Sequence, residues 1–197
     1  MSHSLRIAIA DDEAGVRDFL GAVLLDLGHQ VVALARTGRE LVEQCRACQP
    51  DLVFTDIFMP EMDGIDAAAQ LFQERPVAII LLSGHHEPDL VERATQECIL
   101  AYLVKPIKVA DLAPAIALAM KRFDQVQDLQ KETANLRQAL EDRKVIERAK
   151  GVLMKRAGID EAEAFRRLQM LASNKRRKLA EIAEMILVAE EGFKATD

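Results

Sequence analysis

Five short apolar runs constrain this chain more than any other feature. Residues 5–10, 31–35, 52–55, 77–82 and 101–104 are apolar on nearly every consecutive position. That pattern belongs to strands buried on both faces. Helical patterns separate them, at residues 14–27, 38–48, 64–74 and 88–97. Strand and helix in alternation predict an α/β domain, a doubly wound five-stranded parallel sheet. In such sheets the ligand crevice lies beyond the carboxyl ends of the strands. Asp11 and Asp12 close the first run and Asp56 the third; Ser83 ends the fourth and Lys105, with Pro106, follows the fifth. Three carboxylates, a hydroxyl and a lysine along one sheet edge suit a divalent cation and a phosphoryl group.

From residue 108 the pattern changes. No glycine stands between Gly84 and Gly151, and no proline follows Pro114. One long linker helix is expected from about residue 109 to 156. Within it Val126, Leu129, Thr133, Leu136 and Leu140 alternate spacings of three and four, a heptad seam. In that register Glu132 and Arg137 would face each other across a parallel dimer, although a helix packed onto its own domain accounts for the same seam. Gly158 ends the long helix, and Asp160 is the expected N-cap of the next, with Glu163 placed for a capping box. Ala164, Phe165, Leu168 and Leu171 are its expected apolar face. A last helix from about residue 178 carries Leu179, Ile182, Ala183, Ile186 and Leu187 on one side. The tail is therefore read as a small three-helix all-α domain.

Charge divides the chain in the same place. The net charge of the 197 residues is −6. Residues 1–120 hold 9 basic and 18 acidic side chains, whereas residues 140–178 hold 12 basic and 6 acidic. An acidic control domain joined to a module that meets an anion, such as nucleic acid, follows from that asymmetry. No apolar stretch is long enough for a bilayer, and residues 1–6 lack a basic region leading into an apolar core. A cytoplasmic protein without a membrane partner is expected. Cys45, Cys48 and Cys98 are too few for a disulfide framework. Cys45-Arg-Ala-Cys48 falls late in a helix, whereas a redox pair sits at a helix N-terminus; packing is its expected role.

Residues 5–120 resemble the receiver domain of two-component response regulators. The resemblance rests on Asp11-Asp12, on Asp56 in DIFMPEMDG, on Ser83-Gly84, and on Lys105-Pro106 preceded by Tyr102. It implies a flavodoxin-like fold and a switch set by a sensor histidine kinase. Asp56 would be the nucleophile that becomes an acyl phosphate. Mg²⁺ would be held by Asp12 and Asp56 directly, by Asp11 through water and by the backbone carbonyl of Phe58. Lys105 would hold a phosphoryl oxygen as a point charge. Ser83 would bond the new phosphoryl oxygen and Tyr102 would turn inward behind it. A cis Lys105–Pro106 bond is implied as well. Met59-Pro60 and Gly64 would shape the loop, Asp63 and Asp66 would start a helix, and His85 and His86 would be loop residues. His85 occupies a position that in receivers influences phosphate loss. Phe58 stands where an aspartate-dependent phosphatase would carry its second carboxylate, so the chain is not expected to be an enzyme.

The tail, from about residue 136 to 191, resembles the ANTAR domain, an RNA-binding antitermination module found behind receivers. Ala149-Lys150-Gly151 with Leu153-Met154, then Glu163-Ala164-Phe165 and Leu168, then Leu179 and Ala183 carry the likeness. On this reading residues 1–120 are the receiver, 121–140 a coiled-coil linker and 136–197 the RNA-binding domain. The resemblance implies binding to paired hairpins in nascent messenger RNA, which prevents transcription termination. A homodimer through Val126, Leu129, Leu136 and Leu140 fits paired hairpins. Arg143, Lys144, Lys150, Lys155, Lys175 and Arg176 are the candidate RNA contacts, with Gly151 between them. Arg143 and Lys150 lie seven residues apart, on one helix face. Gly151 costs about 1 kcal/mol relative to alanine, which points to a close approach by a neighbouring helix or by RNA. With Phe165 assigned to the core, no aromatic platform for bases is expected. The alternatives are a DNA-binding response regulator and a receiver with a protein-interaction output. The last helix, largely apolar and acidic over residues 180–188, argues against a DNA recognition helix.

Overall fold

The computed structural model describes residues 4–84 and 99–194. Strands β1 (Arg6–Ala10), β2 (Gln30–Ala35), β3 (Leu52–Asp56), β4 (Ala78–Ser83) and β5 (Ile99–Val104) form one sheet in the order β2-β1-β3-β4-β5. Every pairing is parallel. The described helices are α1 (Ala14–Asp26), α2 (Gly38–Cys48), α3 (Gly64–Glu74), α4 (Val109–Ala157), α5 (Glu161–Lys175) and α6 (Leu179–Lys194). The helix expected at 88–97 lies outside the described residues, as do His85, His86 and Cys98.

The runs are apolar at consecutive positions because successive side chains of a strand enter opposite layers. Ala8, Ala10, Val53 and Ile79 pack with Leu41, Cys45 and Leu71 of α2 and α3. Ile7, Ile9, Phe54, Ile80 and Leu82 pack with Leu20 and Leu24 of α1 and with Leu112 and Ile116 of α4. β5 is less enclosed than its apolar run suggests, because it is an edge strand; Tyr102 and Val104 reach solvent. The order in which the chain adds strands switches sides between β1 and β3, and their carboxyl ends open a crevice there. Burial first, and the neighbouring Cys48 second, push the Cys45 thiol up to about 12, so it is an inert packing group.

Caps set several helix starts. Thr37 accepts from the Glu40 amide at 3.1 Å, Asp63 from Asp66 at 2.7 Å, and Asp160 from Glu163 at 2.8 Å. The expected capping box at α5 forms only in that direction: the Glu163 carboxylate accepts instead from Arg166 at 2.8 Å and Arg167 at 2.9 Å. Two cations one turn ahead are stronger partners than a single backbone amide.

The chain divides into two compact units, residues 1–127 and 128–197. In the second, Ala149, Leu168, Ile182 and Ala183 are buried together, with Val145, Ile146, Leu153, Ala172, Ile186 and Leu187 packed around them. Two expected core residues lie outside this cluster: Phe165 is 37% exposed and Leu171 38%. The deepest line of α5 runs through Ala164, Leu168 and Ala172, at spacings of four, and leaves those two on its flanks. Among the described residues no helix is long and apolar enough to cross a membrane.

Candidate functional site

The ends of β1, β3, β4 and β5 bring the expected residues together at one edge of the sheet. One carboxylate oxygen from each of Asp11, Asp12 and Asp56 lies within 4.8 Å of the others. Asp11 is fully buried, Asp56 nearly so, and Asp12 faces solvent. Lys105 reaches in from the end of β5, its Nζ 2.8 Å from Asp11 Oδ2, 3.2 Å from Asp56 Oδ1 and 3.5 Å from Glu13 Oε1. Burial raises the Asp56 carboxyl above the usual carboxylate range, against the pull of Lys105 and with the push of Asp11. Burial alone would lower the Lys105 ammonium; the hydrogen bond to Asp11 and the charges of Asp56 and Asp11 outweigh it and hold the group above the ordinary lysine value. One lysine cannot neutralise three carboxylates, so the crevice retains negative charge. An all-oxygen donor set with that excess fits a small hard cation.

Local backbone geometry sets the Asp56 loop. A Cβ on Gly64 would stand 1.9 Å from the Asp56 carbonyl oxygen and 2.8 Å from Thr55 Oγ1. Only glycine permits α3 to begin there, and its amide donates to the Ile57 carbonyl at 2.8 Å. Glu61 takes a left-handed φ of 67° to turn the loop. The Phe58 side chain points into solvent, and Lys105–Pro106 is cis. Ser83 ends β4, largely buried, while Tyr102 is more than half exposed. The sequence reading missed Arg17: its Nη1 donates to the backbone carbonyls of Asp11 at 2.6 Å and Asp12 at 3.0 Å, holding the acidic loop from α1. The spacing of five or six residues after an acidic pair was the available signal.

In the tail the candidate cations separate into two kinds. Arg143, Lys144, Lys155, Lys175 and Arg176 are exposed. Arg176 turns the chain between α5 and α6 with a left-handed φ of 50°. Lys150 behaves differently from the rest. Its side chain is only 8% exposed, with Nζ 2.8 Å from Glu147 and 2.6 Å from Glu161. The ammonium also stands 5.8 Å from the centre of the Phe165 ring. It does not share an open face with Arg143; it clasps α4 to the first turn of α5. Gly151 is exposed, and a Cβ there would meet nothing within 4 Å, so none of the described helices crowds it.

Comparison with known proteins agrees with this division. The family model of the response regulator receiver domain matches residues 7–117, and that of the ANTAR domain matches residues 134–187. Transcriptional regulatory protein PdtaR of Mycobacterium tuberculosis (strain ATCC 25618 / H37Rv) is 42% identical over 182 residues, 92% of this chain and 89% of that protein. Chemotaxis protein CheY of Thermotoga maritima is 35% identical over 112 residues, 56% of this chain and 93% of CheY. Among solved structures, a response regulator receiver domain protein from Clostridium thermocellum superimposes with a TM-score of 0.56 at 29% identity, covering 61% of this chain and 98% of that one.

Proposed function

Because the chain belongs to the two-component response regulators, with a receiver domain followed by an ANTAR output domain, we propose that phosphorylation of Asp56 switches an RNA-binding tail that prevents transcription termination. The observation that carries this reading is the convergence of Asp11, Asp12, Asp56 and Lys105 at one sheet edge. A carboxylate oxygen of Asp56 attacks the phosphorus of a phosphohistidine on a sensor histidine kinase. The P–N bond breaks, its electron pair leaves with the imidazole, and an acyl phosphate forms on Asp56. Lys105 binds a phosphoryl oxygen as charge accumulates, and Ser83 hydrogen-bonds another. Positioning and charge neutralisation are most of what this transfer needs. Bound Mg²⁺ supplies the rest of the neutralisation; Asp12 and Asp56 would hold it directly, Asp11 through water, and Phe58 through its carbonyl. Arg17 keeps the acidic loop in place for it. Tyr102 then turns inward and changes the surface of β5.

The output side follows from the tail. Residues 1–120 act as receiver, 121–140 as helical linker and 136–197 as the RNA-binding domain, and the protein works as a binding switch, not as an enzyme. The exposed cations Arg143, Lys144, Lys155, Lys175 and Arg176 meet phosphates of RNA hairpins. Leu129, Leu136 and Leu140 are each about 60% exposed on α4. Together with half-buried Val126 they form the seam of a homodimer that presents two tails to paired hairpins. Full-length protein treated with Mg²⁺ and acetyl phosphate, then weighed intact, should carry one phosphoryl group. The same material should bind hairpin RNA more tightly than duplex DNA. Equal affinity for the two would remove the antitermination reading and leave the receiver chemistry standing.

A further inference from the structure

Glycine inside a helix is disfavoured relative to alanine, and a fold usually shows what the exchange secures. At Gly64 it is the approach of the Asp56 carbonyl, 1.9 Å from where a Cβ would stand. At Gly151 nothing in the described chain does so: its φ is not positive and a Cβ would meet no atom within 4 Å. The open space is part of a groove between α4 and α6, lined by Arg148, Gly151, Val152, Lys155, Leu187 and Glu191 among others. Arg148, Gly151, Val152 and Lys155 follow one another at i, i+3, i+4 and i+7, a single stripe along α4. The missing side chain is thus a notch with a cation on either side.

The groove also holds its own competitor. Arg148 Nη2 lies 4.0 Å from Glu191 Oε1, and both side chains are mostly exposed, at 65% and 72%. A long, solvated pair of this kind contributes little and exchanges readily. Glu190 is different: its carboxylate is 12% exposed and accepts from Arg156 Nε at 2.8 Å. The lining is mixed, with Val152 and Leu187 apolar and Glu190 and Glu191 acidic. Yet one turn before and after the notch on α4 stand the cations Arg148 and Lys155, which the helix of a second copy would have to desolvate. Their charge matches a nucleic-acid backbone.

We propose that this notch seats the sugar–phosphate backbone of the RNA, with Arg148 and Lys155 holding phosphates on either side of Gly151 and Glu191 occupying Arg148 until RNA displaces it. The assignment rests on the reading of the tail as an RNA-binding domain. It replaces the face through Lys150, whose ammonium is already enclosed by Glu147, Glu161 and Phe165.

The test uses full-length protein treated with Mg²⁺ and acetyl phosphate, and a pool of RNA hairpins with randomised loops, in filter binding at two salt concentrations. Gly151→Leu should lower affinity about tenfold, the loss of one good contact, while Gly151→Ala should raise the melting temperature of the tail and still weaken binding. Arg148→Ala should weaken binding and reduce the salt slope by about one. Glu191→Gln should tighten it. If wild type binds the hairpins and both Gly151→Leu and Arg148→Ala bind them equally well, the notch is wrong and the RNA reading stands. If wild type prefers duplex DNA or binds neither, both fall. A monomer–dimer balance shifted by Gly151→Leu without RNA, seen by light scattering, would assign the notch to a second copy and overturn the proposal.

Discussion

Each unit of this chain holds a lysine between carboxylates, and the surroundings give the two lysines opposite characters. Lys105 lies between Asp11 and Asp56, carboxylates fixed on different strands and buried in the sheet edge. The acids there outnumber the lysine, and the rigid β-sheet keeps them close regardless of the repulsion. Lys150 is the buried partner in its own cluster, while Glu147 and Glu161 remain more than half exposed. Those two carboxylates sit on helix surfaces and keep their hydration, so the cluster has no need of another ion. Where buried, fixed carboxylates exceed the cation, the crevice keeps a charge that suits a small hard cation; where a buried lysine meets solvated carboxylates, the result is a clasp.

The sharpest break between the two clusters is Asp56→Asn. The amide is not a competent nucleophile, so acetyl phosphate should leave no adduct in the intact mass, while the tail keeps its helical circular dichroism. A normal yield of adduct would remove Asp56 from its role. Lys105→Ala should come next, slowing phosphorylation by roughly 10²-fold, as loss of one charge-stabilising donor does, an effect larger than that on the melting temperature. Phosphorylation at the wild-type rate would show that Lys105 is only a counter-charge.

Gly64→Ala should destabilise the receiver unit by about 1–3 kcal/mol, the range for overpacking, because the added methyl meets the backbone of Asp56. Its denaturation midpoint gives the value. Lys150→Ala should lower the melting temperature of the tail and leave phosphorylation untouched. The hydrogen bonds to Glu147 and Glu161 raise the Lys150 ammonium above the ordinary lysine value. A raised folded value means that the contribution is complete below the unfolded value and fades as pH rises through the folded one. The wild-type tail should therefore lose part of its stability in strong alkali, and the variant should not lose that part. An unchanged melting temperature would return Lys150 to the RNA face. The smallest effect expected is that of Leu136→Glu, which should weaken dimers of the phosphorylated protein in light scattering without altering the monomer fold.

The receiver half was largely legible from its residues. An apolar run closed by aspartate, serine or lysine marks both a strand and the edge where it ends, so Asp11, Asp12, Asp56, Ser83 and Lys105 could be placed before any contact was known. Caps were legible at Asp63 and Asp160, because a short acceptor before a helix has one local use. The clamp from Arg17 was not, since an arginine on α1 has many reachable acceptors. The tail was read less well. Its helices and the identity of its core were clear, but Phe165 and Lys150 were assigned to each other's environments: the aromatic ring is partly open and the cation is enclosed.

The order of elements, the charge division between receiver and tail, and the residues at the strand ends are properties of the sequence itself, because strand periodicity and terminal chemistry are local. Which stripe of α5 is buried, which carboxylates enclose Lys150 and what surrounds Gly151 were decided only in the tertiary structure. A helix carries several acceptable faces at spacings of three and four, and local chemistry does not choose among them. Packing against the partner helices makes that choice, and it determines which cations remain free to meet an anion.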